Sequence, residues 1–320
     1  MHYGLTGRNG ASPFAKTPTD KAHSPRHLLS ANNMRLIIIS GRSGSGKSTA
    51  LHVLEDEGFY CVDNMPAALL LPLVNQMHHD SNPSLRRVAV SIDARNATRD
   101  LATFPDILQD IQQQHVDCEV LYLDANDTTL IKRFSETRRK HPLSDNDIGL
   151  PAALVAERRR LEPIADLAAL TIDTSTLTLY ELRDCVASRV AGNSQAGMSL
   201  QFLSFGYKHG IPIDADIVLD ARCLPNPYWK IELRPFSGLD EPVKQFLGND
   251  AVVQDMLSDI GNFLDKWLAV FRKNRRYMTV AIGCTGGHHR SVFICEQLRN
   301  RYNGQFNNIQ VRHREINQPA

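Results

Sequence analysis

Eight consecutive residues, Gly41-Arg42-Ser43-Gly44-Ser45-Gly46-Lys47-Ser48, set glycines, one lysine and a hydroxyl in the spacing G-x-x-x-x-G-K-[ST]. The chemistry that needs this combination is phosphate binding. Glycines let the main chain wrap an anion with its N–H groups, where a Cβ would obstruct the approach. Lys47 is expected against the β- and γ-phosphates as a point charge, and Ser48 is expected to offer its hydroxyl to Mg2+. The alternative for such a stretch is a flexible Gly/Ser loop. Context favours the phosphate site: an apolar run, Leu36 to Ile39, precedes the turn, and a helical pattern, Thr49 to Glu57, follows it. The new helix then directs its positive end at the same anion.

Two carboxylates stand where apolar runs end. Asp63 follows Phe59 to Val62, and Asp93 follows Arg87 to Ile92. In a parallel sheet, ligands meet the carboxyl ends of strands. Asp93 is therefore expected as the second Mg2+ contact, direct or through water, and as a catalytic residue with Lys47. Asp63 is expected either to orient a water or substrate or to cap the next helix. Arg95 has two readings, a phosphate or base contact and a surface salt bridge. Arg138 and Arg139 open a polar segment to about Asp147, which is read as a lid over phosphates or as a solvated helix end. A small-metabolite kinase fits the same residues, with Asp63 as base to a hydroxyl and the two arginines on the lid.

A second glycine-rich turn, Gly283-Cys284-Thr285-Gly286-Gly287-His288-His289-Arg290-Ser291, joins Tyr277–Ile282 to a helical pattern from Val292 to Tyr302. Three readings compete for it. The spacing Cys284-x5-Arg290-Ser291 matches what cysteine phosphatases use, a thiolate in a phosphate cradle. A non-catalytic site for a phosphorylated ligand needs only the free N–H groups, Arg290 and the helix start. The third reading is a tight turn whose glycines serve packing.

These loops need elements to hold them. Alternating apolar runs and helical patterns give an α/β fold: a P-loop domain on a parallel sheet over 34–192, then a smaller α/β domain over 198–320, joined at Gly192-Asn193-Ser194-Gln195-Ala196-Gly197. Residues 1–33 lack periodicity and are expected to be a disordered extension or a mis-called start, with Met34 as the alternative first residue. A chain of 320 residues accommodates two domains of ordinary size. Its 42% hydrophobic and 22% charged content is that of a globular protein, and a net charge of +1 leaves any nucleic-acid contact to a local patch such as Arg312, His313 and Arg314. Six scattered cysteines without a C-x-x-C pair argue for reduced thiols and against a zinc site. No apolar run approaches the roughly 18 residues of a membrane span, and no signal segment is evident, so a cytoplasmic location is expected.

Together, the first glycine loop, Gly58-Phe59-Tyr60-Cys61-Val62-Asp63-Asn64, Asp93-Ala94-Arg95-Asn96, Ser204-Phe205-Gly206-Tyr207-Lys208-His209-Gly210, Leu224-Pro225-Asn226-Pro227 and the second glycine loop resemble the bacterial RapZ/YvcJ family from Met34 to about Arg314. The resemblance implies a cytosolic, homo-oligomeric P-loop protein with ATPase and GTPase activity. It implies ATP at Gly41 to Ser48 and GTP at Asp93, Ala94, Arg95 and Asn96. In the RapZ branch it further implies a second domain that senses glucosamine-6-phosphate and presents a small regulatory RNA to a ribonuclease. His209, Thr285, Gly286 and Arg290 match the positions associated with the sugar phosphate. RapZ adapters end in a lysine-rich tail, whereas this chain ends Glu315-Ile316-Asn317-Gln318-Pro319-Ala320. The RNA role is the part of the resemblance that the residues support least.

Overall fold

The computed structural model describes residues 34–78, 83–95, 101–144, 147–191, 197–306 and 308–316. The expected extension over 1–33, Asn96, and residues 192–196 of the expected linker lie outside the described residues. The first half is built on five parallel strands, β1 (Arg35–Gly41), β2 (Tyr60–Val62), β3 (Arg87–Ser91), β4 (Asp117–Asp124) and β5 (Leu170–Asp173), in the order β2-β3-β1-β4-β5. Every residue of β1 is buried, as a central parallel strand covered on both faces must be. Alternate β1 side chains serve opposite cores. Leu36 and Ile38 pack with α2 (Leu70–His78), α3 (Phe104–Gln113) and α5 (Leu150–Ala165), while Ile37 and Ile39 pack with α1 (Lys47–Asp56) and α6 (Leu179–Val186). The remaining helix, α4 (Asp127–Thr137), starts at Asn126, whose side chain accepts from the Thr129 N–H at 2.7 Å.

The second half repeats the principle with four parallel strands, β6 (Ser199–Gly206), β7 (Ile217–Asp220), β8 (Tyr277–Cys284) and β9 (Asn308–His313), in the order β7-β8-β6-β9. Its main core sets Leu200, Phe202, Val280 and Ile282 against α7 (Glu241–Gly248), α8 (Ala251–Phe271) and α9 (Arg290–Tyr302). Strand β9 was not foreseen from sequence, where its residues read only as charge. Each glycine loop leaves the carboxyl end of an inner strand and enters a helix, the first from β1 to α1 and the second from β8 to α9.

Candidate functional site

The first loop is possible only with glycine at Gly41, where φ is 142° and a Cβ would lie 2.0 Å from the Leu123 carbonyl oxygen on β4. That contact presses the loop against its neighbouring strand, and Arg42 N–H donates to the same carbonyl at 3.2 Å. Helix α1 begins at Lys47 with no acidic residue in its first turn, so its positive end stays uncompensated within the helix. Lys47 Nζ folds back over the loop and donates to the carbonyls of Gly41 at 2.7 Å and Arg42 at 3.2 Å. Burial lowers its pKa, opposed by the charges of Glu157, Asp93 and Asp63. Three carboxylates from three elements thus share the field of one lysine.

The expected site residues divide by where their side chains go. Asp93, at the end of β3, is buried and takes the Arg95 guanidinium through Nε at 2.7 Å and Nη2 at 2.6 Å. Ala94 is buried beside it. Asp63 is exposed past β2 and accepts from the Ser91 hydroxyl. The following helical turn opens at Pro66, so Asp63 does not cap it. Ser48 is exposed in the first turn of α1, while Ser45 and Arg42 are buried. The Arg42 side chain turns away from the loop, donating to Asp124, to the Ala125 carbonyl at 3.1 Å and to Asp127. Arg138 ends α4 with φ 51°, and both Arg138 and Arg139 are exposed.

Sequence reasoning missed two residues. Glu157, on α5, is fully buried, and its carboxylate accepts from the Ser43 N–H at 3.0 Å to each oxygen, from Ser43 Oγ at 2.6 Å and from His141 Nε2 at 3.0 Å. Burial works to raise its pKa, yet the His141 and Ser43 hydrogen bonds and the Lys47 charge hold it below the usual glutamate value. The other is Arg133 on α4, which donates to the Gly44 carbonyl at 2.9 Å and to Thr174 at 3.0 and 2.6 Å. A charged helical segment gave no signal for either. Both contacts span long sequence separations.

The second loop lies against the end of β6. A Cβ on Gly206 would stand 2.6 Å from the Gly286 carbonyl carbon, and one on Gly287 would stand 2.2 Å from the Glu315 carboxylate. Arg290 is buried; its Nη1 donates to the carbonyls of Arg222 and Leu224, each at 3.0 Å, and its Nη2 donates to Thr285 Oγ1 at 3.2 Å. Lys208 and His209 stand at the rim. Burial, with Lys208, Arg314 and His288 nearby, lowers the His209 pKa. Arg314 donates to the His209 carbonyl at 2.6 Å and to the Gly210 carbonyl at 2.9 Å. Arg312 pairs with Asp214 and Thr176, and His313 meets Glu296 at 3.1 Å. The cluster seen as free charge in the sequence is therefore largely engaged within the chain.

Comparison with known proteins matches the two halves of the chain to two family models. Residues 34–194 match the model of the RapZ-like N-terminal domain, and residues 198–317 match that of the RapZ C-terminal domain. A relative from Hahella chejuensis, named "Nucleotide-binding protein", is 53% identical over 286 residues, 89% of this chain and 100% of its own length. Another of the same name from Ectopseudomonas mendocina is 54% identical over 284 residues, 88% of this chain and 100% of its own. Among solved structures, a shikimate kinase from Acinetobacter baumannii superposes with a TM-score of 0.35 at 14% identity, over 51% of this chain and 96% of that one. That superposition is too loose to carry weight. With both halves matched in order and relatives covered end to end, the chain belongs to the RapZ family.

Proposed function

We propose that this protein is a cytoplasmic nucleotide-binding regulator that hydrolyses ATP and GTP slowly at the first glycine loop and senses an amino-sugar phosphate at the second. One observation carries the first part: Lys47 heads an acid-free helix start while Asp63, Asp93 and Glu157 lie within its field. The Lys47 ammonium donates to main-chain carbonyls of the loop, and a phosphate chain would offer it a charged acceptor instead. The names of the relatives support nucleotide binding.

Mg2+ fits the donors present. Among the described residues no three His, Cys, Asp or Glu side chains converge to hold a metal. Mg2+ beside a nucleotide needs no such cage, because phosphate oxygens and water fill most of its shell. The Ser48 hydroxyl and the Asp93 carboxylate would hold it, and it would supply charge neutralisation at the transferring phosphoryl group. Lys47 neutralises the same group from the loop side, and the α1 terminus adds its N–H groups. Asp63, exposed at a strand end, orients the attacking water. At the second loop, Thr285, Gly286, Arg290 and His209 supply a hydroxyl, main-chain N–H, a guanidinium and an imidazole to glucosamine-6-phosphate.

The test is phosphate release from ATP and GTP with Mg2+. Asp93→Asn is expected to lower the rate by about 10²-fold or more. An unchanged rate contradicts the assignment, and transfer of the phosphoryl group to an added amino sugar instead of water would make the protein a kinase.

A further inference from the structure

The second loop contains chemistry that a sensor does not use. Cys284 is the last residue of β8, and its sulfur is buried at the floor of the loop. The Gly287 N–H donates to Cys284 Sγ at 3.2 Å, and the Ser291 hydroxyl lies 3.2 Å from the same sulfur. Helix α9 starts at Arg290 with no acidic residue in its first turn, so its positive end faces the loop. The Arg290 side chain is 4% exposed, and Nε has no hydrogen-bond partner among the described residues. Nε lies on the same guanidinium edge as Nη2, which reaches Thr285 Oγ1 at 3.2 Å, so a side-on pair of donors faces the loop with one donor free. At the mouth, Lys208 Nζ and His288 Cδ2 both stand 3.9 Å from where a Cβ on Gly286 would be. One loop therefore brings together a sulfur beside an N–H donor and a hydroxyl, a buried guanidinium with one unpartnered donor, a helix terminus, a lysine and an exposed imidazole.

We infer that this loop is a second catalytic site, in which Cys284 attacks the phosphorus of a small phosphomonoester and hydrolyses it through a cysteinyl-phosphate. The inference rests on the reading of the loop as a phosphate site and adds turnover to it. The attacking species is the thiolate, its proton having passed to solvent. The S–P bond forms as the ester P–O bond breaks, and the electron pair leaves on the ester oxygen, which takes a proton from protonated His288; burial and the Lys208 charge lower that ring's pKa, so this step is favoured at acidic pH. Water then attacks phosphorus and gives a proton back to His288. The S–P bond breaks, its pair returns to sulfur, and orthophosphate leaves. Arg290 and the loop N–H groups hold the equatorial oxygens in both steps, and the Ser291 hydroxyl stabilises the sulfur as it leaves.

The experiment uses the full-length protein without nucleotide, so that the first loop contributes no phosphate. The substrates are p-nitrophenyl phosphate, whose leaving group needs no acid, and glucosamine-6-phosphate. Release of phosphate from both is expected, with one phosphoryl group on the Cys284 peptide after acid quench, read by mass spectrometry. Cys284→Ser is expected to lower release by at least about a hundredfold and abolish the adduct, while calorimetry still detects sugar-phosphate binding. Ser291→Ala is expected to slow adduct breakdown and raise the trapped fraction. That variant leaves the nucleophile in place, so it tests the mechanism even if Cys284→Ser fails to fold. Binding of glucosamine-6-phosphate without release or adduct overturns catalysis and leaves the sensor reading standing. Release that persists in Cys284→Ser also overturns it. Neither binding nor release overturns both readings.

Discussion

Glu157 carries the strongest constraint at the scale of single residues. Its carboxylate takes both donors of Ser43 inside the phosphate-binding loop and is held from behind by His141, each side chain fully buried. A buried carboxylate bound to its partner is costly to orphan, so His141→Ala is expected to cost about 3 kcal/mol, read from urea unfolding at neutral pH. The pH dependence follows from the direction of the shift. Glu157 is held below its ordinary value of 4.5, so its contribution is present above about pH 4.5 and is lost as pH falls through the folded-state value. Stability should drop over that acidic window, and Glu157→Gln should flatten the drop; an identical acid profile in the variant would contradict this. None of it was legible in the sequence. The motif gave the residue types of Gly41 to Ser48, but a helix 114 positions from Ser43 carries no local mark of where its glutamate will point.

At the scale of elements, the pattern gave far more. The apolar run of β1, the loop and α1 stand where the motif requires them, because a run buried on both faces and a glycine turn are local properties. Strand β9 does carry a short period-two alternation, Ile309 and Val311 with half-buried Gln310 and Arg312, but over so few residues it is a weaker mark than an apolar run, and Arg312 and His313 read as charge. Helix α5 extends from Leu150 to Ala165; the proline in its first turn suits a helix start, but Pro163 inside interrupts the helical signal. The contact between Gly41 and Leu123 makes a prediction at this scale. Gly41→Ala would have to displace the β4 backbone, so a loss of more than about 1–3 kcal/mol is expected, together with loss of nucleotide binding. A variant with wild-type melting temperature and affinity would show that the loop is not pressed on β4.

The two halves of the molecule meet in a polar seam. Tyr277 OH donates to Glu119 at 2.8 Å, Arg35 reaches the same carboxylate at 2.7 Å, and Arg276 pairs with Asp117. Above them the Asp173 N–H donates to Asp214 at 3.2 Å, one residue from Thr174, whose hydroxyl donates to the Ser45 carbonyl at 3.0 Å. The first glycine loop is thus tied to the second half through a short run of hydrogen bonds. Such a seam is invisible to periodicity, which marks the faces of an element but not which polar residues meet across the two halves. Tyr277→Phe leaves a Glu119 oxygen buried with one donor fewer and is expected to cost about 1–3 kcal/mol in urea unfolding. The central claim is that the first loop binds nucleotide through Lys47, and calorimetric titration of the full-length protein with ATP and Mg2+ tests it most directly. Lys47→Ala is expected to weaken binding at least about tenfold while leaving glucosamine-6-phosphate binding unchanged. Equal ATP affinity in the two proteins would contradict the account.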